Sequence, residues 1–169
     1  MNTLLFSDLP TLPKLKLAVV GHVEWMSFLS VDECPKAGSI SHAKEYLTEV
    51  AGGGAVSAVQ LAKITGNEVD FFTSLGKDLT GEQSYNRLCQ LGVNPKVAWR
   101  DKPTRKGISM IKPDGERAIT VIGERLQPSG YDQLPWDTLQ DFDGVFITAT
   151  DSRGLANSRK AKILTATPR

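Results

Sequence analysis

Gly52-Gly53-Gly54-Ala55-Val56-Ser57-Ala58-Val59-Gln60-Leu61-Ala62-Lys63-Ile64-Thr65-Gly66-Asn67 is the stretch on which the fold turns. Three glycines open it. Apolar or small residues fill it, interrupted only by Ser57, Gln60 and Lys63 at three-residue spacing. A narrow polar stripe on an otherwise apolar segment predicts a deeply buried helix. Thr65-Gly66-Asn67 supplies the stop, because glycine accepts the left-handed conformation that ends many helices. The glycines have two readings. Their N–H groups can approach an anion or a hydroxyl at a helix N-terminus, or they can serve a tight connection that needs unusual dihedrals.

Outward from this helix, buried strands recur. Leu15 to Val20 is an apolar run ended by Gly21, and Val69 to Leu75 and Gly144 to Ala149 have the same character. Such runs predict interior strands. Thr80 is positioned to cap a helix running to Gln90, with Gly92 beyond it, and Asp151 and Ser152 offer caps for a helix through Lys160. Val97 to Trp99 and Lys162 to Ala166 read as further short strands. Strands alternating with helices through short connections predict an α/β parallel sheet. Two β-rich stretches, 36–50 and 105–124, break the alternation and predict a small separate sheet. In the second, Pro113-Asp114-Gly115 makes a hairpin turn between Ile108–Ile111 and Ala118–Ile122. Ile108, Met110, Ile119 and Val121 are expected to form its apolar outer face.

Composition narrows the class. The 169 residues carry 20 Lys and Arg against 19 Asp and Glu, a formal charge of +1. That balance gives no electrostatic footprint for nucleic acid or an anionic membrane. The two cysteines, Cys34 and Cys89, are too few for a disulfide scaffold or a Cys-rich zinc site. No metal-ligand spacing is recognisable around His22 or His42. No apolar run reaches membrane-spanning length, and residues 1–14 read as a loose leader without the pattern of a secretory signal. A soluble cytoplasmic protein is the expectation.

Other loops fall where open α/β sheets bind ligands, just beyond strand carboxyl ends. Leu75-Gly76-Lys77-Asp78-Leu79-Thr80-Gly81 leaves one strand and enters a helix. It reads either as a ligand loop or as a capping turn in which Asp78 satisfies helix N–H groups. Glu24 and Asp151 each follow a strand, and Arg125 follows the second β-rich stretch. Neither a G-x4-G-K-[ST] loop nor a G-x-G-x-x-G fingerprint is present, which counts against a nucleotide-binding Rossmann domain.

Taken in order, Ala51-Gly52-Gly53-Gly54-Ala55, Leu75-Gly76-Lys77-Asp78-Leu79-Thr80-Gly81 and Leu91-Gly92-Val93 resemble the PfkB family of carbohydrate kinases, from about residue 15 onward. The resemblance implies a ribokinase-like, Rossmann-type three-layer α/β core, incomplete here, over 15–35, 51–104 and 125–169. Residues 36–50 and 105–124 become its β lid, with a possible homodimer through that lid. It implies ATP and Mg²⁺ as cofactors and a sugar-like small-molecule substrate. The substrate would be met by Glu24, Gly52, Gly53, Gly54, Asp151 and Arg125 beneath the lid, with Gly76, Lys77, Asp78 and Gly81 as the loop motif.

Two positions depart from the pattern. Met26 stands where the family usually carries a sugar-binding Asp, and Val56 where it carries an Asn. Neither side chain hydrogen-bonds a sugar hydroxyl. The family's second signature, Asp-Thr-x-Gly-Ala-Gly-Asp, which supplies the general base and the anion hole, is absent from these residues. The expectation is therefore a substrate-and-lid half that does not itself catalyse phosphoryl transfer. The alternative is a catalytically incomplete substrate-binding or lid-dimerising protein.

Overall fold

A computed structural model describes residues 13–167. The leader expected at 1–14 therefore lies outside the described residues, apart from its last two positions. Nine strands and three helices follow in the order β1 (Leu17–Val20), β2 (Glu24–Ser30), β3 (Glu45–Ala51), α1 (Gly53–Thr65), β4 (Val69–Gly76), α2 (Leu79–Gln90), β5 (Val93–Arg100), β6 (Lys106–Ile111), β7 (Arg117–Ile122), β8 (Gly144–Ile147), α3 (Ser152–Ser158) and β9 (Ile163–Ala166). A 3-10 turn at Trp136–Asp141 precedes β8.

The strands form two sheets. Five parallel strands in the order β5-β4-β1-β8-β9 make the core, and β3-β2-β6-β7 make a second sheet. The connections from β1 to β4 and from β8 to β9 run in opposite directions across the core. Right-handed crossovers therefore put α1 and α3 on opposite faces. Side-chain alternation along β1 follows suit. Leu17 and Val19 pack with Ala55, Ala58 and Val59 of α1 and Leu88 of α2, while Ala18 and Val20 pack with Phe72, Trp136 and Leu139. All four residues of β1 are buried, the pattern of a central parallel strand covered on both sides. Over β8 and β9, on the α1 side, an open apolar cleft of about 370 Å³ is lined by Leu17, Gly144, Phe146 and Ile163 of the sheet and by Ser57, Leu61 and Ile64 of α1.

The structure corrects several expectations. Residues 24–30, assigned to the core by sequence, lie in the second sheet, where β2 pairs with β3 antiparallel and β6 parallel. Its burial shows no clear alternation, so nothing local reveals which sheet it joins. Only Glu45–Ala51 of the stretch 36–50 is a strand that continues to the glycines. The cap of α2 is Asp78, two residues earlier than Thr80, and α3 ends at Ser158 rather than Lys160.

The apolar face expected of the hairpin also divides. Register pairs Ser109 with Ile119 and Gly107 with Val121, while Ile108 faces Thr120 and Met110 faces Ala118. Directly paired residues share a face of a sheet. Ile108 and Met110 therefore lie on one face, Ile119 and Val121 on the other.

Candidate functional site

The chain leaves β1 at Gly21 and β8 at Thr148, two adjacent parallel strands in register at Val20 and Ile147. Their carboxyl ends define one edge of the core, and α1 begins at that edge. Gly52 takes φ 88°, a conformation L side chains rarely adopt, and turns the chain from β3 into the helix. Gly54 sits against the β1–β2 turn. A Cβ there would lie 2.8 Å from the backbone of Gly21 and His22. Both glycines thus meet the demands of a tight connection. Gly53 has ordinary clearance, with His22 and Thr148 as neighbours at 3.6 Å from a built Cβ. No side chain caps α1, and its first turn carries no acid. The helix N-terminus therefore keeps its affinity for negative charge or a hydroxyl oxygen.

Glu24 lies beside this connection, opposite Ala51 in the β2–β3 ladder. It is not alone. Arg105 Nε stands 3.3 Å from Glu24 Oε1, with both side chains about 15% exposed. His22 Nε2 stands 3.8 Å from the same oxygen, and its side chain is 4% exposed. The backbone continues the link, because Trp25 N–H donates to Arg105 C=O at 2.9 Å. A largely buried, charge-balanced cluster thus occupies the junction of the two sheets. Sequence reading found Glu24 but missed Arg105, whose partner is far away along the chain.

Asp151 and Arg125 lie further along the same edge, in an open cleft that also contains Gln127, Thr148 and Thr150. Asp151 caps α3. Its Oδ1 accepts from Gly154 N–H at 2.7 Å and Gly130 N–H at 3.0 Å, and its Oδ2 accepts from Ser129 Oγ at 2.5 Å. The Ser129 hydroxyl leads in holding the carboxyl below its usual range; burial opposes it, and the backbone N–H groups of Gly130, Gly154 and Arg153 add to the lowering. Arg125 is exposed, and among the described residues no carboxylate pairs with it. The expected group is therefore brought to one edge in two sets. Glu24 and Gly52–Gly54 form one, Asp151 and Arg125 the other, and Thr148 lies beside Gly53 and lines the cleft of the second.

The loop motif takes its second reading. Asp78 Oδ1 accepts from Gly81 N–H at 2.7 Å and caps α2. The same carboxylate accepts from the Thr104 hydroxyl at 2.7 Å and the Thr104 N–H at 2.9 Å. Burial raises the Asp78 pKa, but these hydrogen bonds more than offset it, and the net direction is downward. Gly76 N–H donates to Thr104 Oγ1 at 3.0 Å. Gly76 and Gly81 clear the space, since a Cβ at Gly76 would come within 2.6 Å of Thr104 N and one at Gly81 within 3.0 Å of its Oγ1. Lys77 points away to Asp101 at 2.7 Å. Gly76, Asp78 and Gly81 converge on one residue of this chain, Thr104.

The expected departures have definite places. Met26 is 4% exposed, and its thioether fills the space over Gly107. Val56 is 49% exposed in the first turn of α1. Among the described residues no cluster of three His, Cys, Asp or Glu side chains is placed to hold a metal ion, and no helix is long and apolar enough to cross a membrane.

Similarity to known proteins agrees with this architecture. Residues 14–165 match the sequence model of the pfkB family carbohydrate kinases. The ribokinase of Thermotoga maritima superposes with a TM-score of 0.70 at 21% identity, covering 89% of this chain and 52% of that one. Ribokinase of Arabidopsis thaliana, solved with ribose and ATP, gives 0.67 at 20% identity over 90% of this chain and 53% of its own. Phosphofructokinase-2 of Escherichia coli, solved with fructose-6-phosphate, gives 0.69 at 14% identity over 93% and 56%. The chain spans about half the length of the structures it matches. A parallel core with a second sheet at its carboxyl edge, a glycine-started helix between them and a family match over nearly the whole chain lead to one conclusion: the chain belongs to the pfkB family of carbohydrate kinases.

Proposed function

We propose that these residues form the substrate-binding and lid portion of an ATP-dependent carbohydrate kinase, the second sheet acting as the lid. The observation that carries the reading is the junction itself. An uncapped helix N-terminus at Gly53 and Gly54 and the Glu24–Arg105 pair meet at the carboxyl edge of the core, beneath the root of the second sheet. Glu24 accepts hydrogen bonds, Arg105 donates them, and the Gly53 and Gly54 N–H groups donate more, a set suited to a polyhydroxylated molecule. Arg125 adds a cation for a substrate bearing an anionic group. Met26 and Val56 remove two polar contacts, so the preferred substrate differs from the usual sugars of the family.

ATP would supply the phosphoryl group. Among the described residues no three His, Cys, Asp or Glu side chains cluster to hold Mg²⁺, and the Asp-Thr-x-Gly-Ala-Gly-Asp signature is absent from the sequence. Phosphoryl transfer rests on positioning and electrostatic stabilisation of the transferred group, so the 169-residue chain is expected to release no ADP above background with any sugar in a coupled assay. The second reading is a binding or lid-pairing protein that phosphorylates nothing. Pairing of two copies would use the exposed face bearing Ile119 and Val121, and Val121→Glu would then lower the dimer fraction in sedimentation.

A thermal-shift series tests the binding reading, with D-ribose, D-fructose, fructose 6-phosphate and adenosine as probes. A ligand at 100 times its Kd stabilises the fold by about 2.7 kcal/mol. The expected result is a rise in Tm with at least one probe that Glu24→Gln abolishes. No rise with any of the four, or a rise indifferent to Glu24, overturns it.

A further inference from the structure

The second sheet is held to the rest of the molecule unevenly. Near the glycines, β3 enters α1 through Gly52, where the chain turns on a positive φ without a side-chain cap. After β7 the chain leaves through Gly123, also at positive φ (89°), and a Cβ there would meet only the Cα of Arg105, at 3.9 Å. Before β6 the chain is gripped. Thr104 receives and gives three hydrogen bonds in the socket built by Gly76 and Asp78. A second grip lies on β3. Glu49 takes a bidentate contact from Arg87, with Nε at 2.9 Å from both carboxylate oxygens and Nη2 at 2.5 Å from Oε2. Both grips originate in one element. Asp78 is the N-cap of α2, and Arg87 stands in its last turn.

We propose that α2 is the mount of the second sheet, fixing its angle over the carboxyl edge of the core through the Asp78–Thr104 socket and the Arg87–Glu49 pair. Thr104 precedes Arg105, and Arg105 contacts Glu24 and receives the Trp25 N–H. Asp78 is thus a positioning residue. It acts through Thr104 on the cation of the candidate site and touches no substrate. Calling the mounted sheet a lid rests on the function proposed above; the mounting does not, and its test uses no ligand.

Amide hydrogen exchange on the intact chain reads the mount directly. Thr104→Val keeps the shape of the side chain and removes the hydroxyl. Thr104→Ser keeps the hydroxyl. Arg87→Met removes the second grip at a half-exposed position that does not endanger folding. Asp78→Asn retains a good capping oxygen for Gly81 and loses the full acceptor pair for Thr104. Thr104→Val, Asp78→Asn and Arg87→Met are each expected to speed exchange of the Trp25 amide and of β3 and β6 by roughly five- to tenfold. Phe71 and Phe72 in β4 stay unchanged, and Thr104→Ser restores protection. Equal acceleration in β4 shows that these contacts hold the whole fold rather than mount one sheet, and overturns the proposal. So does unchanged exchange in β3 and β6 of the Arg87→Met variant, or a Thr104→Ser chain that behaves like Thr104→Val.

Discussion

Every residue of β1 is buried, and every residue of β7 is exposed. Both strands are short and apolar, Leu-Ala-Val-Val against Arg-Ala-Ile-Thr-Val-Ile. The first lies between two parallel neighbours with helices or turns on both sides. The second lies at the rim of its sheet, with its side chains open to solvent. The difference is one of support. Core strands are held by burial of their own side chains, which is non-directional and scales with area. The second sheet is held by ladder hydrogen bonds, by Val50 and Trp25 packed on the core at its root, and by a few polar contacts that are individually specific. Substitutions should therefore cost much in the core, less at the polar contacts and little at the rim.

The largest effect is expected at Phe72, which is fully buried with its ring 5.2 Å from that of Trp136. Phe72→Ala should lower stability by about 3–5 kcal/mol, read from urea denaturation. Next comes Gly54→Ala at the junction of the sheets. Its Cβ meets backbone at 2.8 Å, and backbone yields less readily than the end of a side chain, so a loss of about 1–3 kcal/mol is expected by the same measurement. A Gly54→Ala chain as stable as the parent would break the claim that α1 packs backbone to backbone on the β1–β2 turn.

At the polar contacts, Asp78→Ala should cost about 0.5–2 kcal/mol through the lost cap. Its pH dependence sharpens the point. The folded carboxyl lies below its ordinary value, so its contribution is complete above the unfolded pKa and is lost as pH falls through the depressed folded one. Acid titration of stability should accordingly be flatter in Asp78→Ala than in the parent. The smallest effect belongs to the rim. Ile119 is 49% exposed, and Ile119→Ser should change stability by no more than about 0.5 kcal/mol. A large loss there would show that the outer face of the second sheet is covered in solution.

The same contrast explains what was legible in the sequence. β1, β4 and β8 announce themselves by uninterrupted apolar runs, and α1 by its glycines and its narrow polar stripe, because burial writes itself into local composition. The hairpin is legible in Pro113-Asp114-Gly115, since turn chemistry is also local. β2 was misplaced because its sheet is chosen by register with β3 and β6, which no residue of β2 encodes alone. The face error at Ile108, Met110, Ile119 and Val121 has the same origin, as alternation within a strand says nothing about the parity of its partner. Of the candidate site, Glu24 and the glycines could be read from their places after strands. Arg105, Thr104 and the Arg87–Glu49 pair could not, since each is defined by a partner distant in the chain. A proline at 103 before a strand is the only local hint at Thr104, and it marks a break without naming a partner.

Helix α2 has one further property. Asp78 and Arg87 are separated by nine positions of a rigid rod, which fixes their spacing at about 13 Å and their relative bearing around the axis. The helix is in effect a gauge, and its tolerance is set by angle more than by length. One residue inserted between the two would lengthen it by only about 1.5 Å but turn Arg87 through roughly 100° away from Glu49. Members of a lineage that kept this arrangement would accept substitutions along α2 far more readily than a change in its number of residues.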